Sequence, residues 1–223
     1  GNPDHITMEG LKALRAAQLI LLPVKGTRKS ALADIRREIL TTHLGTDAPQ
    51  IQTFEIPSRE PDIPYQQAVL RWHDEIAHRW QAALTKASSP EEVALMIWCD
   101  PSLYYSAIRI AERLRPVPEI QVIPGISAIQ VLTAAHKIPL NRLAGDITIM
   151  TGRNLRETGI DDSIDNVVVM LDGETSFTTL PADAFDIYWG AYLGMTEQIL
   201  LSGRLADIAD EIIILRAEAR SRH

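Results

Sequence analysis

The chain has 223 residues, 46% hydrophobic and 23% charged, the balance of an ordinary soluble protein with room for one large domain or two small ones. No apolar run approaches the roughly 18 residues of a membrane span, the first residues lack the basic start and apolar core of a signal peptide, and the single cysteine, Cys99, leaves no intrachain disulfide or thiolate cluster. That cysteine content suits a reducing cytoplasm, and a net charge of −7 argues against a nucleic-acid footprint, so an anionic small substrate would need arginines gathered locally.

Gly1-Asn2-Pro3-Asp4-His5 opens as a glycine turn with no strand before it, as if an element ahead of it were missing. Thr7 can cap a helix carrying Leu11, Leu14 and Ala17. Residues 19–24 (Leu-Ile-Leu-Leu-Pro-Val) form a buried strand expected to be central, with Lys25 and Gly26 at its carboxyl end; Lys25 reads as a solvated loop lysine or a contact for an anionic ligand. An amphipathic helix starts at Ser30. Residues 50–56 alternate, the signature of a strand with one wet face. A proline-rich loop then leads into a long helix from about Tyr65 to Lys86, its apolar side marked by Val69, Trp72, His73, Ile76, Trp80, Ala83 and Leu84. His73 and His78 are too far round the helix from each other to share a metal, and both read as packing or surface residues.

The middle of the chain holds two strand–turn–helix units in series. Residues 93–98 are an unbroken apolar run expected to be a strand buried on both faces; Cys99, Asp100 and Pro101 stop it, and Ser102 is placed to cap a helix carrying Leu103, Ala107, Ile110, Ala111 and Leu114. Residues 120–123 are expected to form a second strand, meeting a Pro124-Gly125 turn and a helix that ends near His136. Gly125 permits a backbone conformation that a side chain forbids, and Ser127 and Ala128 are small enough for close approach by a ligand. Asp100 then lies at the carboxyl end of a parallel strand, the edge where open α/β sheets bind ligands. The plain alternative is a turn with a helix cap; a second small-residue turn on the same edge favours a crevice.

After a connection near Pro139 the pattern shifts. Residues 146–151 read as a strand ending at Gly152, with a short polar helix from Arg153 to Arg156. Residues 166–171 read as a further strand ending in Asp172-Gly173, residues 185–193 and 197–201 as an antiparallel pair, and residues 204–220 as a helix carrying Leu205, Ile208, Ile212 and Leu215. The expected fold is α/β in two domains, a mainly parallel one over 1–138 and a mixed-sheet one over 139–223.

No phosphate-binding G-x-x-x-x-G-K-[ST] loop, G-x-S-x-G elbow or metal-spaced cluster is present. His5 and His136 are isolated, and Cys99 has no basic neighbour in sequence to make it a nucleophile. A crevice of small residues with few charges favours a cofactor that carries its own reactivity.

In order and wording these motifs resemble the tetrapyrrole (corrin/porphyrin) methyltransferases that use S-adenosylmethionine. Residues 1–14 resemble the end of the family's glycine-rich amino-terminal motif and its helix; Trp98-Cys99-Asp100-Pro101-Ser102-Leu103-Tyr104 resembles its Gly-Asp-Pro-x-x-Tyr motif, with Cys99 where glycine is usual. Pro124-Gly125-Ile126-Ser127 resembles its Pro-Gly-x-Ser motif, Met150-Thr151-Gly152 its cofactor-contacting strand end, and Thr196-Glu197-Gln198 its late Thr-x-x-Gln stretch, one residue shorter. Residues 2–10, 168–174 and 188–195 resemble the branch that methylates ring carbon C-1 of precorrin-5 and releases the extruded acetyl group as acetate.

The resemblance implies S-adenosylmethionine as methyl donor and S-adenosylhomocysteine as product, with no metal. It implies a polycarboxylate tetrapyrrole substrate, no nucleic-acid or membrane partner, and a cytoplasmic homodimer. By position Asp100 and Tyr104 are the candidate catalytic residues, Tyr104 one helical turn beyond Asp100; Cys99, Asp100, Pro101, Gly125, Ser127, Ala128, Met150 and Thr196 are the candidate cofactor contacts. His5 and Lys25 are candidates for the base in deacetylation, and Arg109 and Arg153 for pairing with substrate carboxylates. Methylation at another ring position, a ribosomal-RNA ribose methyltransferase of the same fold and an inactive binding protein remain as alternatives.

Overall fold

The computed structural model describes residues 2–24 and 30–221, so Lys25 and Gly26 lie outside the described residues. In chain order the elements begin with helix α1 (Met8–Ala16), strand β1 (Leu19–Val24), helix α2 (Ser30–Leu44), strand β2 (Gln50–Glu55), helix α3 (Tyr65–Lys86), strand β3 (Val93–Leu95) and helix α4 (Ala107–Ala111). Helix α5 (Ala128–His136), strand β4 (Thr148–Thr151), helix α6 (Gly152–Thr158), strand β5 (Val167–Met170), strands β6 (Asp186–Ala191) and β7 (Ile199–Arg204) and helix α7 (Leu205–Ser221) follow.

The chain divides into two compact units, residues 3–127 and residues 128–223 with residues 1–2. The division falls after Ser127 rather than at Pro139 because α5 packs with β6: Leu132 lies against Gly190, and the His136 ring is hydrogen-bonded to the Trp189 carbonyl at 3.0 Å.

In the first unit β1 is central in a parallel sheet of order β2-β1-β3. Its side chains alternate between two cores, as the two-residue period of a strand requires. Leu19 and Leu21 join Phe54, Ile76, Trp80 and Ile110 under α3 and α4. Ile20 and Leu22 join Leu11, Leu14, Leu40 and Leu44 under α1 and α2. Each of these four β1 side chains is nearly sealed from water, and each contributes about 1.5–3 kcal/mol of transfer free energy. The Thr7 hydroxyl accepts from the Gly10 amide at 3.0 Å and caps α1. Trp80 meets Phe54 edge-to-face at 5.8 Å, and the Trp72 indole donates to the Pro57 carbonyl at 2.8 Å. His73 is buried and packs within α3, whereas His78 is exposed.

Two expected strands of this unit are corrected. The run 93–98 is a strand only over Val93–Leu95, and Val93 is 37% exposed rather than buried on both faces, because β3 is an edge strand paired only with β1 among the described residues. Residues 120–123 form no strand; no ladder partner lies beside them among the described residues, and Ile120 and Val122 remain exposed.

The second unit holds a parallel pair, β4 with β5, and an antiparallel pair, β6 with β7. Phe177, Leu205 and Ile212 form its buried centre, with Phe185, Ile187, Trp189 and Leu201 packed around them. At the end of β4 the chain turns into α6 through Gly152, where an added Cβ would stand 2.6 Å from Oδ1 and 2.8 Å from Cα of Asp172. The Asp172 carboxylate accepts from the Ser176 amide and hydroxyl, each at 2.7 Å, and the same hydroxyl accepts from Arg156 at 2.8 Å, so Asp172 has no freedom to retreat. Gly152→Ala is therefore expected to cost about 1–3 kcal/mol of unfolding free energy. Gly173→Ala, where an added methyl meets nothing within 4 Å, should cost under about 0.5 kcal/mol. Denaturant unfolding of the two variants side by side checks the difference.

Candidate cofactor site

The site is built from two turns on the first unit. After β3 the backbone enters the left-handed region at Cys99, with φ +58°, a conformation that glycine adopts without penalty and a side chain does not. Cys99 is exposed there. Pro101 is buried and fixes the backbone just past the bend. The Asp100 carboxylate then does two things: Oδ1 accepts from the Ser102 amide at 2.8 Å, closing a local turn, and Oδ2 accepts from the Gly125 amide at 3.0 Å, 25 residues further along the chain.

Gly125 is pressed against the other side of the same bend. A Cβ built on it would lie 2.3 Å from the Cys99 carbonyl oxygen and 3.1 Å from its carbon, and both are backbone atoms that cannot swing aside. No residue with a side chain fits this contact. Ser127, two residues on, is 4% exposed. The amides of Gly125 and then Ser102 hold the Asp100 carboxyl below its usual range, because both hydrogen bonds favour the ionised form.

Two expectations change here. Ser102 does not cap a helix: its own amide is taken by Asp100, and α4 begins only at Ala107. Tyr104 is not one helical turn beyond Asp100, since it lies in the connection before α4 with φ +54° and is exposed.

The structure thus brings Cys99, Asp100, Pro101, Gly125 and Ser127 to one pair of turns. Ala128, Met150 and Thr196 belong to the other unit: Ala128 begins α5, Met150 is half-buried near the end of β4, and the exposed Thr196 hydroxyl donates to Glu197 at 2.9 Å in the turn where the Gly194 amide bonds the Gln198 side chain. His5 ends a single helical turn over Pro3–His5, Arg109 is on the exposed face of α4, and Arg153 is exposed on α6. Among the described residues no three His, Cys, Asp or Glu converge to hold a metal ion, and no helix is long and apolar enough to cross a membrane.

Sequence reading passes over one polar residue beside these turns, Arg36, which is 5% exposed. The signal was available: Arg36, Leu40 and Leu44 recur at a spacing of four on α2, so the arginine occupies a core position of an otherwise apolar stripe.

Asp100→Asn removes the charge and leaves one acceptor oxygen for two amides. The expected cost is about 1 kcal/mol at neutral pH, the low end for a charged hydrogen bond because solvent screens this partly exposed group. Because the folded-state pKa is lowered, this contribution is fully present above the ordinary value of 3.8 and is lost as pH falls through the folded pKa. Unfolding free energies of parent and variant should differ by a constant amount down to about that pH and converge below it; a difference independent of pH to the acid limit would remove the carboxylate from the tie.

Residues 1–209 match the family model for tetrapyrrole (corrin/porphyrin) methylases. The chain is 40% identical over its whole length to the precorrin-6A synthase [deacetylating] of a Sinorhizobium species, covering 87% of that protein. Among solved structures it is similar to the cobalamin-synthesis-related protein CobF of Corynebacterium diphtheriae, at 36% identity and TM-score 0.81, covering all of this chain and 90% of that one. It also shares the fold of the uroporphyrin-III C-methyltransferase of Thermus thermophilus solved with S-adenosyl homocysteine, at 15% identity and TM-score 0.60, covering 95% of this chain and 82% of that one. The chain belongs to the tetrapyrrole (corrin/porphyrin) methylase family.

Proposed function

We propose that the chain is an S-adenosylmethionine-dependent C-methyltransferase of cobalamin biosynthesis, methylating precorrin-5 at C-1 and releasing acetate to give precorrin-6A. The observation that carries this reading is the 40% identity along the whole chain to a deacetylating precorrin-6A synthase. The interlocked turns at Cys99–Asp100 and Gly125 support it, because they hold the two motifs that resemble the family's cofactor-binding motifs against each other at the end of β3.

S-adenosylmethionine supplies an electrophilic methyl group on a sulfonium whose sulfur departs neutral. The protein's task is then alignment and exclusion of water more than acid–base chemistry. The Cys99–Pro101 bend and Gly125 offer backbone to the donor, and the buried Ser127 follows at the same turn. The family resemblance adds Ala128, Met150 and Thr196 as proposed donor contacts. Asp100 acts as a positioning residue: its two amide bonds hold both turns at one spacing. Release of the acetyl group consumes one water, which attacks the acetyl carbonyl as the bond to the ring carbon breaks and acetate leaves. The working form is a cytoplasmic homodimer that needs no metal and binds neither nucleic acid nor membrane. The net charge of −7 runs against the ribosomal-RNA alternative.

Two measurements test the proposal. Protein incubated with precorrin-5 and S-adenosylmethionine should yield a product one methyl group heavier and one acetyl group lighter, with one acetate released per turnover. A methylated product that retains the acetyl group would assign the chain to another ring position. Cys99→Gly should relieve about 1 kcal/mol of left-handed backbone strain and tighten, or leave unchanged, the binding of S-adenosylhomocysteine in calorimetry. A loss of affinity beyond about tenfold would mean that the thiol itself contacts the donor.

A further inference from the structure

Among the described residues Arg36 is the one charged side chain in the buried set of the first unit. Its guanidinium carbon lies over the Trp98 ring, 4.4 Å from the centroid, and the Tyr105 hydroxyl is its hydrogen-bonding neighbour. Its Nε is sealed from solvent and has no hydrogen-bond partner. No carboxylate lies within ion-pair range of it among the described residues, and the residues outside the described set contain no Asp or Glu that could serve. A buried cation ordinarily has an acidic partner, and when the protein supplies only an aromatic face and a phenol the compensation is incomplete.

The place of this cation matters. Trp98 immediately precedes Cys99, and Tyr105, the neighbour of the Arg36 guanidinium, lies within electrostatic reach of Cys99. Trp98 and Tyr105 are only partly buried and Cys99 is exposed, so Arg36 sits one layer of side chains beneath the turn that forms the candidate cofactor site. A guanidinium whose face is covered by an aromatic ring keeps in-plane N–H donors for acceptors, and a pair of them makes a fork that matches the two oxygens of a carboxylate.

We infer that Arg36, clamped between Trp98 and Tyr105, receives a ligand carboxylate at the Cys99–Asp100 turn. The inference rests on the methyltransferase reading, which supplies two carriers of that group: the amino-acid end of the methyl donor and the acid side chains of the tetrapyrrole. Trp98 covers the guanidinium, and Tyr105 is its hydrogen-bonding neighbour. This assigns carboxylate recognition to a buried residue of α2 and not to the exposed Arg109 or Arg153.

The test compares the parent with Arg36→Met, which keeps the length and loses the charge, and Arg36→Lys, which keeps the charge and loses the fork. Calorimetry with S-adenosylhomocysteine and with methylthioadenosine, which lacks the amino-acid carboxylate, reads the donor arm. The KM for precorrin-5 at saturating donor reads the substrate arm. If the donor carboxylate is held, Arg36→Met loses about tenfold or more in affinity for S-adenosylhomocysteine and nothing for methylthioadenosine, with Arg36→Lys between. If a substrate carboxylate is held, S-adenosylhomocysteine binding is unchanged and the KM for precorrin-5 rises by a similar factor. Parent values in both arms for a folded variant, with at most a lower melting temperature, overturn the inference and leave the methyltransferase assignment standing. If Arg36→Met does not fold, Arg36→Lys decides by the same readouts. A parent protein that binds no S-adenosylhomocysteine overturns the assignment and this inference together.

Discussion

The contact on which the site depends is the meeting of Gly125 with the Cys99 carbonyl, closed by the Asp100 carboxylate. A side chain at Gly125 has no room, since its first carbon would already overlap the backbone of the other turn. Asp100 cannot relax without releasing either Ser102 or Gly125. Two turns separated by 25 residues are therefore held as one surface by a single carboxylate and a missing side chain. The residues on either side carry little regular structure of their own: β3 is three residues long, and no strand precedes Gly125. Side-chain and backbone complementarity replaces the hydrogen-bonded ladder that would normally fix such an edge.

What anchors this surface is β1. Its leucines and isoleucine face two separate cores, so the strand is immobilised from both sides and carries β3 on one edge and β2 on the other. The short β3 ends where the chain must bend to bring Trp98 against Arg36 and Cys99 to the surface. A non-glycine residue in a left-handed conformation at that bend is a local cost borne by the surrounding packing. It explains in physical terms why the family usually places glycine there.

Much of the fold was legible because its signals are local. Thr7 as a cap, the sealed run of β1, the extent of α3 and the antiparallel pairing of β6 with β7 follow from side-chain periodicity and turn residues. The errors arise where tertiary context decides. The run 93–98 carries the composition of a buried strand, but only its first half finds a partner, and residues 120–123 find none among those described. Ser102 has the residue type of a helix cap, yet the preceding aspartate claims its amide first, which delays α4 to Ala107 and takes Tyr104 off the helix. That Asp100 would join two turns could not be read from spacing, because the partner amide is distant in sequence. That helix α5 clusters with the second unit is not visible in spacing, because its packing on β6 is a long-range contact.

The central claim is that the turns at residues 99–101 and 124–127 form the donor-binding edge and are held together by Asp100. A crystal structure of the protein with S-adenosylhomocysteine tests it most directly. The account predicts the ligand lying against the backbone of both turns, with the hydrogen bonds from Ser102 and Gly125 to the Asp100 carboxylate intact. A ligand bound elsewhere, or bound here with those two hydrogen bonds broken and the turns parted, would contradict it.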